Sequence, residues 1–227
     1  MWFQYISGMF VSLSCVVCGE VGASLCGGCR VGCSAAPDID WVDAMDVRAL
    51  LLYDNVSRPI VLALKNANVR SLAAYVGPAM ALLVADKDLE VVTWAPTTSA
   101  RRRHRGYDQA ELLARSVGNA LDLPVLRLLR REKGLPQHGQ PRQDRLSLAN
   151  GPGFTARSRA RTVTEGAAIL VVDDVVTTGG TLASAGATLR MAEANEVVGL
   201  ALAASTASSA AGPKGTEAQE SGLAGRR

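Results

Sequence analysis

Between Ala167 and Val172 the chain runs through six apolar residues, Ala-Ala-Ile-Leu-Val-Val, and then meets Asp173 and Asp174. An apolar run of that length without alternation fits a strand buried on both faces, and such strands belong to parallel sheets covered by helices. Val175 and Val176 follow, then Thr177-Thr178-Gly179-Gly180-Thr181, and from Thr181 to Ala194 the spacing is helical. Strand, small-residue loop and helix in direct succession make the unit from which open α/β sheets are built. In this unit the strand ends in carboxylates.

The rest of the chain repeats the alternation. Helical spacing is read over Asp46 to Tyr53, Arg58 to Lys65, Val69 to Ala85 and Gln109 to Leu121. Glu90 to Ala95 is rich in β-formers and stops at Pro96, Val125 to Leu129 suits a short strand, and Glu196 to Ala203 suits a second buried one. The expected class is therefore α/β, a mostly parallel sheet with flanking helices. With 227 residues, 48% of them hydrophobic, the chain can bury one core and carry a small appendage. Four regions separate by composition: an extension over 1–14, a cysteine-rich module over 15–36, a core over 43–206, and an Ala/Ser/Gly tail over 207–227 that is expected to be disordered. Met1 to Leu13 is apolar but has no positive n-region, and no stretch reaches the ~18 apolar residues of a membrane span. The expectation is no signal peptide, no membrane span and a cytoplasmic protein. Oligomeric state leaves no mark on the sequence.

A Thr/Gly loop opening a helix lets backbone N–H groups approach an anion closely, and the helix adds its unpaired donors and positive dipole end. The hydroxyls of Thr177, Thr178 and Thr181 can add hydrogen bonds to phosphate oxygens. Carboxylates beside a phosphate repel it unless they face something else, and the vicinal hydroxyls of a ribose are such a partner. A plainer reading is a solvated turn with Thr181 capping a helix. No Gly-Lys-Ser/Thr of a Walker loop and no Gly-x-Gly-x-x-Gly of a dinucleotide fold is present.

A second strand, ending at Ala95-Pro96, leads into Thr97-Thr-Ser-Ala-Arg-Arg-Arg-His-Arg-Gly-Tyr-Asp-Gln-Ala-Glu111, with four arginines between Arg101 and Arg105. Forked guanidinium donors there suit phosphate oxygens. A solvated basic loop and a contact to nucleic-acid phosphates are the alternatives for Arg101 to Arg103; Arg105 and Gly106, directly before the helix, are the better placed. The net charge of +3 is too small to argue for nucleic acid by itself.

All five cysteines fall between residues 15 and 33, as Cys15-x2-Cys18-x7-Cys26-x2-Cys29 with Cys33 beyond. Two Cys-x-x-Cys knuckles suit a closed tetrahedral Zn²⁺ site of structural type, with a redox pair or disulfides as alternatives. His104 lies in the basic run and His138 in a polar loop, and neither has the surroundings of a catalytic group.

The run Ile169 to Thr181 resembles the phosphoribosyl pyrophosphate signature of type I phosphoribosyltransferases. Taken with the four-cysteine module and the segment Arg105-Gly106-Tyr107-Asp108-Gln109-Ala110-Glu111, the chain from Cys15 to about Ala204 resembles the ComF/GntX-type family of phosphoribosyltransferase-like proteins. Asp108 stands where that family has Asn; Gln137, Arg145 and Phe154 match its pattern, Leu148 departs from it, and Lys65 matches a family lysine. The resemblance implies phosphoribosyl pyrophosphate with its 5′-phosphate on Thr177, Thr178, Gly179, Gly180 and Thr181, and its ribose hydroxyls on Asp173 and Asp174 as the catalytic pair. Arg105 and Gly106 would then meet the pyrophosphate, which Mg²⁺ bridges to the sugar. It implies a phosphoribosyltransferase whose acceptor the sequence does not name. Members of that family are also associated with DNA uptake, so an accessory binding single-stranded DNA is the rival reading, and a regulator that senses the sugar phosphate is a third.

Overall fold

The computed structural model describes residues 14–39, 42, 45–64, 70–132, 153–158 and 160–205. Its centre is a four-stranded sheet made of β1 (Val47–Leu52), β2 (Val91–Trp94), β5 (Ala168–Val176) and β6 (Glu196–Ala204). The order across the sheet is β1-β6-β5-β2 and every pairing is parallel. A two-stranded antiparallel ribbon, β3 (Leu129–Arg131) with β4 (Phe154–Ala156), stands apart from it.

Side-chain alternation along the buried strands assigns the helices to two faces. Leu170 and Val172 of β5 join one apolar cluster with α2 (Ser57–Ala63), α3 (Arg70–Leu82) and α5 (Gln109–Leu121), through Ile60, Leu72, Val76, Leu113 and Val117. Ile169 and Val171 join the other, with Leu182, Ala185 and Leu189 of α7 (Gly180–Met191). Three further helices, α1 (Gly27–Val31), α4 (Ser99–Arg105) and α6 (Ala160–Thr164), complete the described elements. No helix among the described residues is long and apolar enough to cross a membrane.

Two local expectations give way to the structure. The stretch Asp46 to Tyr53, read as helical, is strand β1 at the edge of the sheet, in register with β6 from Val47↔Gly199 to Leu52↔Ala204. Ala49, Leu50, Leu51 and Leu52 are good helix formers, but a propensity of tenths of a kcal/mol per residue loses to a ladder of backbone bonds and two covered faces. Val125 to Leu129, read as a strand, contributes one parallel bridge, Val92↔Val125, before the chain turns out into β3.

Candidate functional site

The crevice follows from where the strands stop. β2 ends at Trp94; Ala95 still donates its N–H to the Val172 carbonyl at 3.0 Å, and then Pro96 leaves the ladder. β5 continues to Val176 with β6 as its strand neighbour, so its last four residues have an open flank. From β2 the chain passes to α5 on one face, and from β5 to α7 on the other. This divergence makes a topological switch point, where open α/β sheets hold ligands. A cavity of about 310 Å³ lies there, and its charged lining is Asp108, Asp173 and Asp174 with Arg101, Arg105 and Arg131. A smaller one of about 150 Å³ is formed by Asp173 with Thr177 to Leu182.

The Thr/Gly loop is shaped by Gly179. Its φ is +75°, in the left-handed region, and a Cβ built there would lie 2.5 Å from Cγ1 of Val42. α7 starts at the next residue and carries no acidic side chain in its first turn. The first amides of such a helix lack intrahelical partners and face the loop. Strand β5 runs through both carboxylates instead of fraying before them, yet Asp173 and Asp174 line the same cavity. The Asp173 carboxylate accepts the N–H of Asp174 at 2.8 Å, and Asp174 accepts that of Val175 at 2.8 Å. Loss of hydration, and then the charge of Asp174, push the Asp173 carboxyl well above the usual carboxylate range, against the pull of that hydrogen bond.

The arginine segment is a helix, α4, and not a loop. The Thr98 hydroxyl accepts the N–H of Arg101 at 3.3 Å to cap its start, and Gly106, at φ +78°, ends it with an N–H to the Arg102 carbonyl at 2.8 Å. Helical spacing places Arg101 and Arg105, four apart, on one face, and both line the carboxylate cavity. Arg102, Arg103 and Gly106 line an adjoining cavity instead, and His104 is exposed. After α4 the chain is pinned twice: the Tyr107 hydroxyl donates to the Leu64 carbonyl at 2.6 Å, and Asp108, buried at the start of α5, accepts the N–H of Thr97 at 2.9 Å. Burial raises the Asp108 carboxyl, and that hydrogen bond partly offsets the rise.

Four polar cavity residues, Thr97, Asp108, Gln109 and Arg131, escaped the sequence reading. Gln109 is buried, and its Nε2 has no hydrogen-bond partner among the described residues. It sits inside the Arg105–Glu111 segment, so the signal was there. Arg131 comes from β3, donating to the Pro96 carbonyl at 3.5 Å with its guanidinium 5.7 Å from the Phe154 ring centre. Nothing around Arg130-Arg131 in the sequence marks it, because its position depends on a ribbon whose connection is long. Lys65, Gln137, His138, Arg145 and Leu148 lie outside the described residues.

At the N-terminal end the sulfurs of Cys15, Cys18, Cys26 and Cys29 all lie within 4.8 Å of one another, and all five cysteines are free. Cys18 and Cys26 are 3.7 Å apart. Tetrahedral zinc with ~2.3 Å Zn–S bonds needs sulfurs about 3.8 Å apart, so the cluster fits that ion. Burial works against ionisation of Cys15, but the N–H groups of Cys26, Cys18 and Val17 outweigh it and bring the thiol down to about 6. Cys29 is raised, first by its hydrogen bond with Cys18 and then by burial. Cys33 donates to the Cys29 carbonyl at 3.3 Å and is outside the cluster.

The chain is similar in structure to the glutamine phosphoribosylpyrophosphate amidotransferase of B. subtilis, at 25% identity and TM-score 0.43, over 59% of this chain and 26% of that one. A similar match reaches the adenine phosphoribosyltransferase of Thermoanaerobacter pseudethanolicus, at 12% identity and TM-score 0.42, over 78% of this chain and 98% of that one. A third is the hypoxanthine phosphoribosyltransferase of Trypanosoma cruzi, at 16% identity and TM-score 0.37, over 60% and 67%. The chain spans about a quarter of the length of the amidotransferase and of the allosteric regulatory enzyme of purine biosynthesis. No curated protein matches it. The profile of the phosphoribosyl transferase domain matches residues 105–220, just over half of the chain, from the end of α4 through both carboxylates and the Thr/Gly loop. With the parallel sheet and its flanking helices already in place around those residues, the chain belongs to the phosphoribosyl transferase domain family.

Proposed function

We propose that the chain binds phosphoribosyl pyrophosphate, with Mg²⁺, at the ends of β2 and β5 and transfers its phosphoribosyl group to an acceptor. The observation that carries this is the order of charge along one crevice: the Thr177–Thr181 loop, then Asp173 and Asp174, then Arg101, Arg105 and Arg131. The ligand has the matching order of 5′-phosphate, ribose diol and pyrophosphate. The loop amides and α7 hold the 5′-phosphate. Asp173 and Asp174 accept hydrogen bonds from the ribose hydroxyls. Arg105, with Arg101 and Arg131, meets the pyrophosphate, and Gln109 Nε2 gains an acceptor. Mg²⁺ supplies neutralisation of the pyrophosphate charge, and the oxygen donors of Asp173 and Asp174 suit a hard cation. The protein's own part is positioning and electrostatic stabilisation of an oxocarbenium-like sugar, with little acid–base work.

The four cysteines are proposed to hold a structural zinc. Together with the Arg105–Glu111 segment, this module favours a ComF/GntX-type protein. The rival accessory that binds single-stranded DNA through the arginine segment expects all four arginines to act alike, whereas they divide between two cavities. Calorimetric titration of phosphoribosyl pyrophosphate with and without Mg²⁺ is the test. Binding that needs Mg²⁺ and is lost in Asp173→Asn/Asp174→Asn is expected; no binding to the folded wild type removes the assignment.

A further inference from the structure

Next to the carboxylate cavity lies a second, of about 400 Å³, and Thr97 and Arg131 belong to the walls of both. Its other charged side chains are Arg102 and Arg103 from α4, Arg127 from the segment joining α5 to β3, and Arg130 from β3. Five arginines from three parts of the chain thus line it, Arg103, Arg127 and Arg130 exposed and Arg102 and Arg131 half-buried, and among the described residues no carboxylate does. Three arginines elsewhere have acidic partners: Arg48 with Asp46 and Asp86, Arg115 with Glu111, Arg161 with Glu193. Here Arg102 reaches Glu111 at 3.9 Å, while Arg103, Arg127 and Arg130 form no ion pair among the described residues. Burial, and then the charges of Arg102 and Arg157, hold Arg127 below the usual arginine range; burial and then Arg101 do the same to Arg131. Such crowding costs free energy that an anion in the cavity would relieve.

We infer that this cavity binds a second, phosphate-bearing small molecule with at least two linked phosphates, alongside the sugar-phosphate site. Arg131 is shared with the sugar-phosphate site and Arg102 is within reach of Glu111, but Arg103, Arg127 and Arg130 alone bring three positive charges, more than one phosphate, at about −2, can balance. Guanidinium forks match phosphate oxygens in pairs. The volume lies in the small-molecule range of roughly 300–1,000 Å³. No aromatic side chain is in the described lining, whereas single-strand binders stack bases on aromatic rings. The neighbouring ligand is the one assigned under Proposed function, but the arginine cavity stands on its own residues.

The test is calorimetry on the full chain with inorganic tripolyphosphate as probe, in excess Mg²⁺, with and without saturating phosphoribosyl pyrophosphate. A parallel arm uses oligothymidylate. Tripolyphosphate should bind while phosphoribosyl pyrophosphate is bound, and Arg127→Ala/Arg130→Ala should weaken it by roughly tenfold or more. The same variant should keep its affinity for phosphoribosyl pyrophosphate, and Arg105→Ala should show the reverse pattern. Tripolyphosphate binding that is untouched by Arg127→Ala/Arg130→Ala, or wholly displaced by phosphoribosyl pyrophosphate, overturns the inference. So does oligothymidylate binding lost in that variant, with a log–log salt slope near −0.7 per contact, which assigns the cavity to nucleic acid. Failure of phosphoribosyl pyrophosphate to bind, with tripolyphosphate still dependent on Arg127 and Arg130, removes the proposed function and keeps this site.

Discussion

Asp173 is held in the folded chain in a state its own chemistry resists. Its carboxyl is raised by burial and by Asp174, so the native state binds its proton more tightly than the unfolded chain does. Where the native state binds more protons, stability falls as pH rises. The contribution is therefore favourable below the ordinary value of 3.8 and is lost as pH climbs from there through the raised folded value, which is the reverse of a salt-bridged aspartate. Asp173→Asn removes this penalty and keeps the shape, so the ligand-free protein should melt higher than wild type at neutral pH. The same change takes away an acceptor for a ribose hydroxyl, at a cost of about 1.5–3 kcal/mol per charged hydrogen bond. Thermal melts and calorimetry on one variant read both effects, and a lower melting temperature with unchanged sugar-phosphate affinity would contradict both. Phosphoribosyl pyrophosphate affinity should also fall on acidification through the raised carboxyl value, because the ionised carboxylate accepts from the diol more strongly than the neutral acid does.

Among the elements, α4 and the Thr/Gly turn do the placing. A loop reading of Arg101 to Arg105 separated Arg105 from its neighbours; the helix regroups them by spacing, Arg101 with Arg105 and Arg102 with Arg103. Arg101→Ala and Arg105→Ala should each weaken phosphoribosyl pyrophosphate binding, while Arg102→Ala and Arg103→Ala should leave it within about twofold, an error-sized fraction of the ~1.4 kcal/mol that marks a tenfold change. Equal losses at all four positions would speak for a diffuse phosphate contact. The glycines separate in the same way. Gly106→Ala meets open space and costs the ~1–2 kcal/mol of a left-handed alanine. Gly179→Ala pays that and also drives a methyl into Val42, so it should destabilise more in denaturant melts and abolish binding of ribose 5-phosphate. The Thr/Gly turn, the buried strands β5 and β6 and helix α5 were legible in the sequence because each is fixed by residues adjacent in the chain, whereas α4, capped by Gly106, was read as a loop. Strand β1 was not, since Asp46 to Tyr53 becomes extended only by pairing with β6, some 150 residues later. Arg131 was not for the same reason: its place in the cavity depends on the β3–β4 ribbon.

At the scale of the molecule, the four-cysteine module and the sheet are not independent. Cys15 and Leu25 are buried in the same apolar cluster as Ile60, Leu72, Leu113 and Val198, so the module covers part of the core on the α2–α3–α5 face. Two polar contacts join them as well: Ser24 with Ser71 at 2.9 Å, and Arg30 with the Tyr75 hydroxyl at 3.2 Å. By composition alone, cysteines confined to one end of the chain would make a module able to unfold by itself and leave the domain intact. Packing predicts otherwise. The purified protein should carry about one zinc per chain. Removing it by chelation, or by Cys15→Ser with Cys18→Ser, should loosen residues 15–36 and also expose the first half of α3. The loss of Cys15 and Leu25 from the cluster uncovers apolar surface worth ~25 cal/mol per Å². Strands β5 and β6, buried between both helical layers, should keep their protection. Hydrogen exchange with and without chelator reads this directly: faster exchange in both 15–36 and α3, with β5 and β6 unchanged, is expected. Protection of α3 that survives metal loss would show that the module rests on the domain without supporting it, and protein purified without metal under reducing conditions would remove the zinc assignment itself.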